Sequence, residues 1–222
     1  MKAILIPVKT FRESKQRLAP YFSADQRAAL AQALCEDFFR TIAQVRGAGR
    51  VFVVTEEARA LEWARENGWE TIAEKGQISE SHSVDAASRT CAGNGVGALL
   101  RLPIDIPLAT PGDIESILAQ TESPPSAILV PSRDGTGTNA LLRLPPTLFP
   151  SHFGPNSFAL HLDEAERCGA RVKILRNPRI ELDIDEWDDL GALGPRVRPD
   201  SALALWLARH FPNGTNLSLP DG

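Results

Sequence analysis

An α/β fold, with a mostly parallel sheet and helices on both faces, is what this sequence predicts, and three observations predict it. Short apolar runs that read as buried strands alternate with longer runs of helical period almost throughout. The chain has 222 residues, which suits one such domain and is long enough to bury a sizeable core. Hydrophobic residues make up 43%, an ordinary share for a packed globular chain. Residues 1–210 are assigned to the domain and residues 211–222 to a loose polar tail.

The elements follow in order. Residues 3–8 (AILIPV) open the sheet, and a polar, basic loop covers 9–20. Ser23 and Gln26 form an S-x-x-Q capping box ahead of a helix whose apolar stripe is Leu30, Leu34, Phe38 and Ile42. A strand at 51–55 leads to a helix at 56–67, closed by Gly68 as the residue after its end, and to a short strand at 69–73. A helix is expected at 83–90 and a strand at 98–102 that runs into Pro103-Ile104-Asp105. Thr110-Pro111 reads as an N-cap followed by proline at the first helical position, with the helix reaching 120. Strands at 127–130 and 140–144 precede a helix at 156–168 ending at Gly169. Strands are expected at 171–175 and 180–184, then a short helix capped by Asp185, then a last helix at 202–209. Ligands in such sheets bind at the carboxyl ends of the strands.

Composition excludes several functions. A net charge of −4 disfavours a nucleic-acid binder, which needs a basic surface, but leaves room for a mononucleotide held by one basic loop. No apolar run is long enough to span a bilayer, and no signal peptide is visible. Cys35, Cys91 and Cys168 lie far apart with no CxxC pair, as in a cytoplasmic chain with reduced thiols. There is neither a Walker GxxxxGK[ST] loop nor a GxSxG elbow. The four histidines show no ligand spacing; His161, on the helix that starts near Ser157, either touches a substrate or, the favoured reading, packs or caps.

Four clusters carry the chemistry. Lys9, Arg12, Lys15 and Arg17 fall within nine residues after the first strand; they form either a triphosphate-binding loop or a solvated basic face. Asp105 ends an apolar strand between two prolines, where a carboxylate either holds Mg²⁺ or turns the chain. On a strand Asp183 and Asp185 share a face, and paired carboxylates repel unless a cation lies between them; the alternative is a surface Asp183 with Asp185 only a helix cap. Asp134-Gly135-Thr136-Gly137-Thr138-Asn139 and Phe153-Gly154-Pro155-Asn156-Ser157-Phe158 offer backbone approach, uncharged donors and a helix start, or else are two ordinary turns.

These clusters, in this order, resemble the 2-phospho-L-lactate guanylyltransferase family, which also covers phosphoenolpyruvate and 3-phospho-D-glycerate guanylyltransferases of coenzyme F-420 biosynthesis. The resemblance runs from Met1 to about Leu190 and rests on IPVKTFRESKQRLAPYFSADQR, with Lys9 and Lys15-Gln16-Arg17-Leu18, then on DGTGTNALL, FGPNSFALH and LDID. It implies a single-domain, GT-A-like (Rossmann-like) nucleotidyltransferase with a mixed, mostly parallel sheet. It further implies GTP as donor, with Lys9, Lys15 and Arg17 facing the triphosphate. Mg²⁺ would sit on Asp105, Asp183 and Asp185, and the phosphorylated acid near Thr138, Asn139, Gly154 and Ser157. Lys15, Arg17 and Asp105 would act directly in transfer, and Lys15→Ala is expected to weaken GTP use while sparing the fold. The product would pass to a transferase that loads it onto the deazaflavin; a homodimer is possible in this setting. The chain departs from the family's G-L-N-x-A segment, carrying residues 76–83 (GQISESHS) there instead.

Two other readings stand beside this one. A molybdenum-cofactor or sugar-acid nucleotidyltransferase of the same fold usually opens with L-x-x-G-G-x-S-x-R-M, where this chain has Ile6-Pro7-Val8-Lys9. A non-catalytic nucleotide-binding module is expected to lose its acids, and Asp105, Asp183 and Asp185 are all present.

Overall fold

The computed structural model describes residues 1–74, 76, 78–120 and 123–212, so the expected tail lies, from residue 213 on, outside the described residues. Seven strands form one sheet: β1 (Lys2–Pro7), β2 (Arg50–Thr55), β3 (Glu70–Ala73), β4 (Ala98–Arg101), β5 (Ser126–Pro131), β6 (Thr138–Leu144) and β7 (Arg171–Ile174). Their order is β3-β2-β1-β4-β6-β5-β7. β6 runs antiparallel to both β4 and β5, and every other pair is parallel. The antiparallel strand follows from a short loop, 132–137, which can return the chain beside β5 but is too short for a crossover. The sheet is therefore mixed and mostly parallel, as expected.

The eight α-helices among the described residues are α1 (Ala24–Ile42), α2 (Ala58–Glu66), α3 (Glu80–Gly93), α4 (Pro111–Ala119), α5 (Ser157–Arg167), α6 (Pro178–Glu181), α7 (Trp187–Leu193) and α8 (Ala202–His210). One face of the sheet, with Ile4, Ile6, Leu100, Ile128, Ala140 and Leu142, packs on α1, α2 and α4. On the other face Leu5, Phe52 and Leu99 pack on α3, and Leu129 and Leu141 on α5. The stripe on α1 divides: Phe38 and Ile42 join the sheet core, while Leu30 and Leu34 join Leu190, Leu193 and Trp206 of α7 and α8. Buried Asp37 of α1 caps α8 by accepting from the N–H groups of Ala202 and Leu203 at 2.9 and 2.8 Å.

Both expected caps form. Ser23 and Gln26 exchange bonds at the start of α1, and Thr110 and Asp113 do so at α4, with Pro111 in the first turn. α3 is longer than its apolar pattern suggests, because Ser79 accepts from the N–H of His82 and starts the helix early.

Residues 180–184 do not form a strand. Asn177 accepts from the N–H groups of Arg179 and Ile180, and Pro178 is preset for a first helical turn, so the chain winds into α6 instead. It then runs extended but unpaired in the sheet, held by the Ile184 N–H on the carbonyl of Asp105 at 3.0 Å. Nor does Asp185 cap α7. That position belongs to Glu186, and Asp189 Oδ2 accepts from the N–H groups of both Asp185 and Glu186.

Candidate active site

The carboxyl ends of β1 and β4 bring together the basic loop and the aspartates. Lys15 lies in a left-handed conformation (φ 57°) between two short 3-10 turns, 11–13 and 16–18. Its ammonium donates to Asp105 Oδ2 at 2.5 Å and to Asp185 Oδ1 at 3.1 Å, and its side chain is only 6% exposed. Burial alone would lower the Lys15 pKa, but Asp105 and then Asp185 outweigh it, so the ammonium is held more firmly than usual. The charge of Lys15, against the opposing effect of burial, holds Asp185 below the ordinary carboxylate value, with help from Arg17 and Lys9. Arg17 is exposed, 3.6 Å from Asp185 and 3.5 Å from Glu186.

Asp183 behaves in the opposite way. Burial and then the charge of Asp105 push its carboxyl up to about 6, against a hydrogen bond from Asn139 that favours the ionised form. Its alignment with Asp185 owes nothing to strand alternation, since no strand is present. Asp183 is held instead by Asn139, whose Nδ2 donates to the carbonyls of Ile180 and Glu181 at 2.9 and 3.1 Å and to Asp183 Oδ1 at 3.1 Å. Among the described residues no three carboxylate, imidazole or thiol groups converge tightly enough to hold a metal ion. The cation between Asp105 and Asp185 is the Lys15 ammonium.

A bulge at the start of β6 builds the other half of the site. Val130 pairs with Ala140 and Pro131 with Thr138, so Asn139 is an extra residue on β6. Strict alternation from Ala140 and Leu142 would aim Thr138 at the α1 face and Asn139 at the α5 face. With the bulge the directions exchange: Asn139 reaches α6 and Asp183, while Thr138 meets α5. There Thr138 Oγ1 lies 3.0 Å from His161 Nδ1 and 3.4 Å from Ser157 Oγ. Thr138, Ser157 and His161 are all buried.

Gly154 (φ 124°) and Asn156 (φ 58°) shape the entry to α5, whose N-terminus carries no side-chain cap. Backbone carbonyls take its first two N–H groups instead, Ser157 donating to Gly154 at 3.2 Å and Phe158 to Thr136 at 3.0 Å. Lys15 and Asn156 are the only non-glycine residues of positive φ among the described residues, and each lies in one half of this site.

The structure therefore joins Lys15, Arg17, Asp105 and Asp185 directly, sets Asp183 within reach of the charges of Asp105 and Asp185, and sets Thr138, Ser157 and Gly154 on the opposite face. Lys9 is exposed and acts on Asp185 only through its charge. Thr136, one of the uncharged donors noted in the sequence, is engaged inside its own turn with Asp134. Sequence reasoning missed the role of His161, which follows Ser157 by four residues and so lies on the same side of α5; that spacing was the available signal. It also missed Arg101, which is buried, ion-paired with Glu80 and 4.0 Å over the ring of Phe153. Ser81 accepts from the Phe153 N–H at 2.7 Å, so the departing segment at 76–83 abuts the F-G-P-N-S-F turn; Gln77 within it lies outside the described residues.

A cationic loop, clustered aspartates and a neutral donor group at one end of a mixed α/β sheet define a nucleotidyltransferase. Solved structures agree on the fold. A Desulfovibrio desulfuricans protein of the nucleotide-diphospho-sugar transferase type superposes with a TM-score of 0.75 at 17% identity, covering 94% of each chain. A cytidylyltransferase from Leptospira borgpetersenii gives 0.58 at 13% identity, covering 99% of each. The family model described as guanylyl transferase CofC like matches residues 1–194, and the chain belongs to that family. A phosphoenolpyruvate guanylyltransferase of Rubrobacter xylanophilus is 36% identical over 89% of this chain and 98% of the relative. A 2-phospho-L-lactate guanylyltransferase of Methanothermobacter thermautotrophicus is 30% identical over 85% of this chain and 82% of the relative. A 3-phospho-D-glycerate guanylyltransferase of Colwellia psychrerythraea is 30% identical over 86% and 90%.

Proposed function

We propose that this protein transfers GMP from GTP to a small phosphorylated three-carbon acid, releasing pyrophosphate, in coenzyme F-420 biosynthesis. The observation that carries the reading is the convergence, in a chain of this family, of Lys15, Asp105 and Asp185 beside the Asn139–Asp183 pair. Among the three acids named for its relatives, phosphoenolpyruvate is the first to offer, since a 36%-identical relative carries that name.

The reaction asks for little bond-making chemistry from the protein. A phosphate oxygen of the acid forms a bond to the α-phosphorus of GTP, the bond from that phosphorus to the α,β-bridging oxygen breaks, and pyrophosphate leaves with the electron pair. A phosphate monoester is already an anionic nucleophile near neutral pH, so no general base is required. What the protein must overcome is repulsion between two anions, by neutralising charge and by holding them in line. Arg17 and Lys9 face solvent from the basic loop and are free to meet a triphosphate, with Lys15 beneath them. Thr138, Gly154 and Ser157 would take the acid's phosphate or carboxylate, and Asn139 would act on this acid through its hold on Asp183.

We further propose Mg²⁺ on Asp105, Asp183 and Asp185. The donor set fits a hard cation, being carboxylate oxygen throughout, and Asp183, raised first by burial and then by the charge of Asp105, is a carboxyl that a further cation would hold ionised. When bound, the ion would neutralise charge on the α- and β-phosphates. The guanylylated acid is a phosphoanhydride, its two phosphorus atoms joined through one oxygen, suited to a following transferase that loads it onto the deazaflavin.

Pyrophosphate release should be measured with GTP or ATP and each of the three acids, with mass spectrometry of the product. Guanylylated acid formed from GTP and one acid is expected. No pyrophosphate with any acid would overturn the reading, and equal turnover with ATP would overturn the choice of GTP.

A further inference from the structure

His161 is fully buried, yet its ring is not idle packing. The N–H of His152 donates to Nε2 at 2.9 Å. A backbone N–H can only donate, so Nε2 carries no proton. Burial, then the charges of Arg143 and Arg101, push the ring down to about 3, so it is neutral at physiological pH. A neutral imidazole with a bare Nε2 has its proton on Nδ1, which must donate to Thr138 Oγ1, 3.0 Å away. Ser157 Oγ lies 3.4 Å from the same oxygen. The Nδ1–H thus fills a lone pair of the Thr138 hydroxyl and turns its proton away from the ring, toward Ser157 Oγ or a ligand oxygen.

We propose that His161 is a positioning residue that fixes Thr138 as a hydrogen-bond donor toward the acid substrate. A free threonine hydroxyl rotates and either gives or takes; this one is turned to give. It therefore selects an acceptor atom, an anionic oxygen of the phosphate or carboxylate, and is wrongly poised for a hydroxyl that needs to donate. The bulge at Asn139 is part of the device, because without it Thr138 would face away from α5. The inference rests on the proposed acid site, so its test separates the two.

The test measures KM for phosphoenolpyruvate and for GTP in Thr138→Val, His161→Leu, His161→Asn and the Thr138→Val/His161→Leu double variant. Thr138→Val keeps the shape and removes the donor. His161→Leu frees the hydroxyl to turn inward, and His161→Asn retains a donor near the position of Nδ1. Both Thr138→Val and His161→Leu are expected to raise the KM for phosphoenolpyruvate by about tenfold or more, with the KM for GTP held within about twofold. His161→Asn should recover part of the loss, and His161→Leu should add little in the Thr138→Val background, because both act through one hydroxyl. A purely structural histidine would instead lower the melting temperature and shift both KM values together. Should the Leu variant fail to fold, His161→Met, unbranched and apolar, takes its place. An unchanged phosphoenolpyruvate KM on loss of His161, beside a raised one in Thr138→Val, overturns this inference and leaves the acid site standing. Unchanged values in both overturn the acid site as well.

Discussion

The two groups of polar side chains that flank the first residues of β6 are built on opposite electrostatic plans. On the α5 side, Thr138, Ser157 and His161 form a neutral, buried network whose directions are set before any ligand arrives. On the α6 side, Asp105, Asp183 and Asp185 face one ammonium, and the balance of charge is incomplete: Asp185 is held ionised by Lys15 while Asp183 is pushed up to about 6. Neutral donors can be oriented permanently at little cost, whereas clustered like charges stay strained until a further cation joins them. The neutral side is thus suited to recognition and the charged side to the step in which charge moves. If that contrast is right, removing Asp183 should separate activity from stability, and substitutions on the neutral side should act on the KM for the acid.

The largest effect is expected at Asp183. Asp183→Asn should lower turnover by about a thousandfold or more, because a cation site loses an anionic ligand. Stability should go the other way. The folded carboxyl sits at about 6 against an ordinary 3.8, so the native state favours the protonated form. Its contribution favours folding below the ordinary value and is lost as pH rises through 6. At pH 8 the wild type carries the full penalty and the Asn variant carries none. Thermal melts without divalent metal should therefore show the variant equal or more stable at pH 8, by roughly 1–2 kcal/mol, with the gain fading towards pH 4. A variant that loses stability at pH 8 would make Asp183 a structural acid.

Lys15 should behave differently from what a loop cation suggests. Its burial between Asp105 and Asp185 means that Lys15→Ala leaves two carboxylates facing each other, so the fold is not spared as the sequence alone implied. A loss of about 1–3 kcal/mol in denaturant melts is expected, together with a fall in turnover of roughly a hundredfold. Wild-type stability would show that the pair is loosely held. Asn139→Ala tests the hinge between the two groups. It frees two carbonyls and Asp183 from one amide, so about 1–3 kcal/mol of stability should be lost and turnover should fall roughly tenfold. An effect on the KM for the acid with none on turnover would move Asn139 to the recognition side.

Most of the fold was legible because its signals are local. The Ser23 and Thr110 caps, Pro111 and the apolar runs each act within a few residues, and the elements they announce are present. The pattern at 180–184 misled because apolar and acidic residues alternate there as in a strand, while Asn177-Pro178 starts a helix just upstream and the extended piece after it finds no strand partner. The aspartates were visible as residue types at strand ends, and Asp105 and Asp185 do meet. What could not be read was direction. The bulge that exchanges Thr138 and Asn139 depends on the register of β5 against β6, which no single segment specifies, and the place of Lys15 depends on contacts 90 and 170 residues away. A neighbour on the same helix face, His161 four residues after Ser157, was within reach of spacing alone.

The smallest effect is expected at Arg17, and it sharpens the contrast within the charged side itself. Arg17 and Lys15 are two residues apart, yet the Arg17 side chain is 60% exposed and that of Lys15 is 6% exposed. The ion pairs of Arg17 with Asp185 and Glu186 span 3.6 and 3.5 Å across solvent-exposed ground, where such pairs contribute little. Arg17→Ala should therefore change stability by less than about 0.5 kcal/mol. Its guanidinium is free to meet a triphosphate, so the KM for GTP should rise by a few-fold, on the order of 3–10, with turnover nearly kept. Added salt screens an exposed charge far more than a buried one, so the difference between wild type and Arg17→Ala should shrink as ionic strength rises, while the deficit of Lys15→Ala should persist. Steady-state kinetics at two salt concentrations would decide it. A salt-independent Arg17 effect as large as that of Lys15 would mean that the loop closes over the nucleotide and buries both cations together.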